Sequence, residues 1–264
     1  YRWLRPEKST RRFKTLYITV IVICATSFIT GRISGVTFLG KLGAYWMAVF
    51  YLLLLLVPVA HITVLVLRLT RLPRQGTQKG AGIITLTVTV GLLIYGSFNA
   101  YSPVVRTYSI QVERGSSSID SLNIAMAADT HFGLLSGKDH AQRLVEEING
   151  MQPDIILLPG DIVDDDIRPF LDQGIDEILS ALRAPYGVYA SLGNHDKFTG
   201  TMEELIEAIE RSGITVLYDE AIAVNDAFTL IGRKDHSDPN RLTLEQVMDG
   251  VDVSKPVILL DHQP

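Results

Sequence analysis

The sequence predicts N-terminal transmembrane α-helices followed by an α/β domain built on a largely parallel sheet. Three observations predict it. The first 114 residues carry 14 Lys and Arg against 2 Asp and Glu, and the remainder carry 10 against 27, so the near-neutral average hides a basic half and an acidic half. The basic half is made of long uncharged apolar runs. In the acidic half short apolar runs alternate with stretches of helical character, the pattern of strands crossed over by helices.

A helix crosses the hydrocarbon core with about 20 mostly apolar residues, in a range of about 17 to 25. Uncharged runs of 17, 26 and 26 residues follow Lys14, Lys41 and Lys79, and predict spans at about 15–31, 42–67 and 80–101 within a membrane domain of residues 1–111. Basic residues collect before the first span (Arg2, Arg5, Lys8, Arg11, Arg12, Lys14) and between the second and third (Arg68, Arg71, Arg74, Lys79). Only Arg32 and Lys41 lie between the first two. Such rich loops stay in the cytoplasm, so the expectation is a multi-pass protein of the cell membrane with everything after Tyr101 extracytoplasmic.

The basic residues sit in short clusters between apolar runs and form no continuous soluble face, so no nucleic-acid-binding surface is evident. A single cysteine, Cys24, inside an apolar run, excludes a disulfide framework and a cysteine-rich zinc site. Oligomeric state is unknown from these features.

"VERGSSSIDS", residues 112–121, has the composition of a short tether. From residue 122 onward, strands are expected at 122–128, 154–158, 188–192, 214–217, 228–232 and 256–260, with helices near 139–149, 170–182 and 202–211. In parallel sheets of this kind, ligands gather beyond the carboxyl ends of the strands. Four strand ends carry the chemistry: "DTH" with Asp129 and His131, "PGDIVDD" with Asp161 and Asp164, "GNHD" from Gly193 to Asp196, and "DHQP" with His262. Any one of these is an ordinary turn former or helix cap taken alone. Four at one edge are not.

This ordered set resembles the calcineurin-like metallophosphoesterase superfamily, and within it the bacterial membrane-attached group with several spans before the catalytic domain. The resemblance covers 122–264 and implies a β-sandwich flanked by helices that hydrolyses a phosphomonoester or phosphodiester with two divalent ions, Mn, Fe or Zn. It implies that Asp129, His131 and Asp161 hold one ion, and that Asp161, Asn194 and His262 hold the other, with Asp161 bridging. Mixed oxygen and nitrogen donors suit these metals rather than calcium. By the same resemblance His195 meets the substrate phosphate or protonates the leaving oxygen, and Asp196 orients His195. Asp164 supports the ligands from behind, Asp165 and Asp166 start a helix, and His140 and His236 are surface residues. The implied partners are the lipid bilayer and a phosphoester, lipid-linked or nucleotide.

The family also carries a later G-H-x-H motif. The six histidines here are 61, 131, 140, 195, 236 and 262, and none follows His262. The resemblance therefore implies a catalytic domain truncated at its C-terminus. A fragment of a longer gene product, which the Tyr at position 1 also suggests, is expected over a short chain with impaired metal binding. The competing class is a membrane-anchored phosphoesterase-like module that binds or senses without turnover.

Overall fold

A computed structural model describes residues 10–69, 73–198 and 202–263. It divides into two units at Val105 and Arg106. Of the basic residues used above to orient the spans, Arg2, Arg5, Lys8 and Arg71 lie outside the described residues.

The first unit contains α1 (Arg11–Ser34), α2 (Thr37–Leu67) and α3 (Arg74–Ala100). All three are long and apolar enough to cross a membrane. Their large side chains point outward: Leu16, Ile29, Phe50, Leu54, Ile94 and Phe98 are all exposed. Apolar surface on this scale suits a bilayer, where a helix satisfies its own backbone polar groups. Thr10 caps α1 by accepting from Phe13 N at 3.3 Å, and Gly35 ends it in the left-handed region at φ 69°. Close helix contact falls on small residues. A methyl group at Gly31 would run into the backbone of Gly40, and one at Gly43 into that of Phe28.

In the second unit, β1 (Ile124–Met126), β2 (Ile155–Pro159), β3 (Val188–Ser191) and β4 (Thr215–Val216) form a parallel sheet in sequential order. Between them run α4 (Lys138–Gly150), the short pair α5 (Ile167–Asp172) and α6 (Ile175–Leu179), and α7 (Met202–Arg211). Parallel crossovers are right-handed, so a chain that always steps the same way puts every helix on one face. The other face is covered by a second sheet of β5 (Glu220–Val224), β6 (Phe228–Gly232) and β7 (Val257–Leu260), with a single turn of helix, α8 (Leu244–Val247), before β7.

Alternation along β2 shows how the layers lock. Ile156 and Leu158 join the core under the helices, whereas Ile155 and Leu157 pack with Phe228, Leu230 and Leu260 of the second sheet. Both faces of β2 are buried, hence its unbroken apolar run. The fold is therefore a sandwich of two sheets with helices on one side.

Two local expectations change. The helix expected at 170–182 is two short helices, because Gly174 at φ 63° breaks the chain direction between them. Strand β5 was not expected. It pairs antiparallel with β6 through a tight turn in which Asn225 and Asp226 both have positive φ, the hairpin geometry that Asn and Asp tolerate. The polar stretch around residues 114–117 is held to this unit, with Ser116 N donating to Ser254 O at 2.9 Å and Ser117 buried.

Candidate metal centre

The segment after β1 does not leave the sheet at once. His131 N donates to Asp161 O at 3.0 Å and Phe132 N to Ile162 O at 2.8 Å, so the exits of β1 and β2 run side by side. This carries Asp129, His131 and Asp161 together. Asp129, His131, Asp161 and Asp165 all have positive φ, at 53°, 42°, 51° and 25°. Non-glycine residues there cost about 1 to 3 kcal/mol each, and such strain concentrates at functional sites.

The glycines of the motifs are there for space. A methyl group on Gly160 would lie 2.6 Å from the His262 ring, and one on Gly193 would overlap the Asp161 carboxylate. "PGD" and "LGNHD" thus let β2 and β3 deliver their acids into a crowded point.

Among the described residues, two groups of side chains could hold a metal ion: Asp129, Asp161 and His262, and His131, Asp164 and His195, the donor atoms within each group lying within 4.8 Å of one another. The partition differs from the one implied by resemblance. Asp129 falls with His262, and Asp164 and His195 fall with His131. Asp161 nevertheless lies between them, its Oδ2 being 3.6 Å from His131 Nε2 and 3.3 Å from His262 Nε2.

These residues fit a divalent cation on chemical grounds. Asp161 is 2% exposed, and among the described residues no Lys or Arg side chain pairs with it. A buried carboxylate without a countercharge is costly. His262 Nδ1 lies 2.9 Å from the Pro159 carbonyl, which can only accept, so that nitrogen carries a proton. In the neutral ring, Nε2 then turns its lone pair toward Asp161. Two acceptors at that range need a proton or a cation between them. Separations of about 3 to 3.5 Å are also what bonds of about 2.1 Å leave between neighbouring ligands.

Asn194 sits at the β3 exit, where its Oδ1 accepts from Gln263 Nε2 at 2.6 Å. His195 begins a 3-10 turn (His195–Phe198), and its N–H donates to Asp161 Oδ1 at 2.8 Å. Its ring stands edge-on to His131, 4.7 Å between centroids.

Asp196 has a different position from the one expected. It is fully buried and accepts from Gly193 N at 2.8 Å, Val163 N at 2.9 Å and Ile162 N at 3.4 Å, which ties the β2 exit to the β3 exit. Burial pushes its carboxyl up to about 6, against the pull of those donors. The carboxylate bonded to His195 Nδ1, at 2.8 Å, is that of Asp165. That bond, and the Asp161, Asp165 and Asp164 charges, hold the imidazole above the usual histidine range although partial burial opposes them. The sequence held a signal for Asp165. Of three consecutive acids only one can cap α5, and Asp166 does so by accepting from Arg168 N at 3.0 Å. Asp165 is left in the bend before the helix.

His140, expected on the surface, is half-buried on α4 beside Phe132, with burial and Arg143 lowering its pKa. His236 is exposed.

A family model described as calcineurin-like phosphoesterase matches residues 122–264. A transmembrane protein with metallophosphoesterase domain from Danio rerio is 28% identical over 69% of this chain and 44% of its own length. Its counterpart from Bos taurus is 27% identical over 69% of this chain and 44% of its own length. An uncharacterized metallophosphoesterase of Aquifex aeolicus is 31% identical over 67% of this chain and 68% of its own length. The chain thus spans less than half the length of the two transmembrane relatives. The matched segment is the one whose strand exits gather the carboxylates and imidazoles just described, and the chain belongs to the calcineurin-like phosphoesterase family.

Proposed function

We infer that the domain from residue 122 onward hydrolyses a phosphomonoester or phosphodiester by a two-metal mechanism at a membrane surface. The observation that carries this reading is the meeting of His131 and His262 on one buried carboxylate, Asp161, from three separate strand exits. By the family resemblance Asp129, His131 and Asp161 would hold one cation and Asp161, Asn194 and His262 the other, with Asp161 common to both, although the nearest donors group Asp129 with His262. When bound, such cations polarise a phosphoryl oxygen and supply a nucleophile from water at neutral pH.

The chain's own groups do the rest. His195 has its Nδ1 bonded to Asp165, which leaves Nε2 to contact a substrate phosphate or donate a proton to the leaving oxygen. Asp165 fixes the tautomer and the ring plane. Asp196 is assigned a scaffolding part, holding the exits of β2 and β3 at the spacing the ligands need.

The three apolar helices and the transmembrane relatives support membrane association, and the charge bias favours a multi-pass protein with the phosphoesterase domain on the extracytoplasmic side. Proximity to lipid favours lipid-linked phosphates over nucleotides as substrates.

The test is hydrolysis of p-nitrophenyl phosphate and its bis-ester by the full chain in micelles with Mn or Zn, beside metal-binding calorimetry. Two bound equivalents with turnover are expected, and Asp161→Asn should weaken metal binding by more than about 100-fold. Lack of metal binding and of turnover on both esters in the whole gene product would make the domain a binding or sensing module instead.

A further inference from the structure

Beyond the ligands themselves lies an ionic cluster at the β7 exit. Asp261, directly before His262, is 8% exposed and takes two guanidinium groups on a single oxygen: Arg241 Nη2 at 2.5 Å and Arg233 Nη1 at 3.3 Å from Oδ2. The arginines are 13% and 11% exposed, for Arg233 and Arg241 respectively. They approach from different elements. Arg233 follows β6, with its N–H on Leu260 O at 3.0 Å, and Arg241 lies on the loop before α8. That loop is itself pinned. Arg233 Nη2 donates to Leu242 O at 2.7 Å, and Asp219 accepts from Lys234 N at 2.9 Å and Leu242 N at 2.8 Å.

As a purely stabilising device this arrangement is poor. Asp261 Oδ1 and the Nε atoms of both arginines are buried with no hydrogen-bond partner among the described residues. Buried ionic clusters with unmet donors and acceptors are weak contributors to stability, and an apolar replacement often does as well. What the cluster does well is fix a point. Two planar groups from two elements leave Asp261 little freedom, and the next two residues reach the candidate metal centre. His262 faces Asp161, and Gln263 Nε2 donates to Asn194 Oδ1. Arg241 Nη1 also reaches Gln263 O at 3.4 Å. An amide oxygen has two lone pairs, so the Gln263 bond orients Asn194 and leaves one pair for a cation.

We propose that Asp261, clamped by Arg233 and Arg241, is a positioning residue that aligns His262 directly, and Asn194 through Gln263, for the second cation. This rests on the two-metal reading above. Residues that orient ligands from behind typically change metal affinity by about 10 to 100-fold when altered.

The experiment is Mn titration of the full chain in micelles by calorimetry, with thermal unfolding of the metal-free protein run in parallel, for wild type, Asp261→Asn, Gln263→Ala and Asn149→Ala. Wild type should show two binding steps. In Asp261→Asn one step should weaken by about 10-fold or more while the other holds, and Gln263→Ala, on an exposed side chain, should weaken the same step with unfolding unchanged. Asn149→Ala removes bonds to Ala181 O and Arg183 N, away from the β7 exit, and should lower the unfolding midpoint alone. Two wild-type steps in both Asp261→Asn and Gln263→Ala, or an equal loss in Asn149→Ala, overturns the proposal. Should Asp261→Asn fail to fold, Gln263→Ala decides by itself. Absence of two steps in wild type would instead overturn the two-metal reading on which the proposal stands.

Discussion

The two units treat polar groups in opposite ways. In the membrane unit, hydroxyls bond within their own helix: Thr26 to Val22 O at 2.8 Å, Thr63 to Val59 O at 2.9 Å, Thr85 to Ala81 O and Thr89 to Thr85 O at 2.8 Å each. In the phosphoesterase domain, polar side chains reach far along the chain: Thr130 to Ile162, Asp196 to Val163, His262 to Pro159. Hydrocarbon offers no partner, so a spanning helix satisfies itself locally. The candidate centre instead draws its side chains from the separate exits of β1, β2, β3 and β7. Local bonding makes a reliable anchor, and nonlocal bonding makes a centre.

The comparison breaks most sharply at the glycines. Gly193→Ala puts a methyl group into the Asp161 carboxylate, a contact between residues 32 apart in sequence that cannot be relieved locally. A stability loss of about 1 to 3 kcal/mol is expected, as for overpacking, together with weakened metal binding. Calorimetry and thermal unfolding read both, and unchanged values in the two would mean the exits of β2 and β3 are less tightly fitted than the structure has them.

In the membrane unit, Gly31→Val should have a smaller and separate effect. Its side chain would meet the Gly40 backbone, so α1 and α2 should move apart, measured as a longer distance between spin labels on the two helices. Metal affinity of the phosphoesterase domain should stay as it was. A parallel fall in metal affinity would show that the two units do not act independently.

The smallest effect concerns His140. Burial favours its neutral form and lowers its pKa, so its contribution to stability is complete above the unfolded value of about 6.5 and is lost as pH falls through the lowered folded value. The unfolding midpoint of wild type should therefore decline more steeply between about pH 7 and pH 5 than that of His140→Gln. Identical slopes would mean that water reaches the ring in the folded state.

Much of the architecture was legible because it is written in local pattern. The three spans show as long uncharged runs, and β1, β2, β3 and β7 as apolar stretches whose ends carry Asp, Asn or His. β5 was missed because "EAIAV" is short and half-exposed, although the Asn225–Asp226 turn beside it was a usable hairpin signal. The helix break at Gly174 was missed because a lone glycine inside a helical pattern is often tolerated. At the site, the strand ends offered acids, an amide and imidazoles, and the family resemblance picked Asp129, His131, Asp161, Asn194 and His262 from among them. The sequence could not tell which acid faces the His195 ring, since Asp165 and Asp196 are 30 and 1 residues from it and only the path of the chain after β2 separates them.

By itself, then, the sequence determined which residues are apolar at what period, where charge collects, and which strands end in ligand-type side chains. These depend on neighbours a few residues away. The tertiary structure alone decided that Asp196 braces two strand exits while Asp165 holds His195, and that Arg233 and Arg241 converge on Asp261 from 28 and 20 residues away. Such pairings follow from how layers stack and loops cross, and nothing in a run of neighbouring residues encodes which distant group will lie within hydrogen-bonding reach.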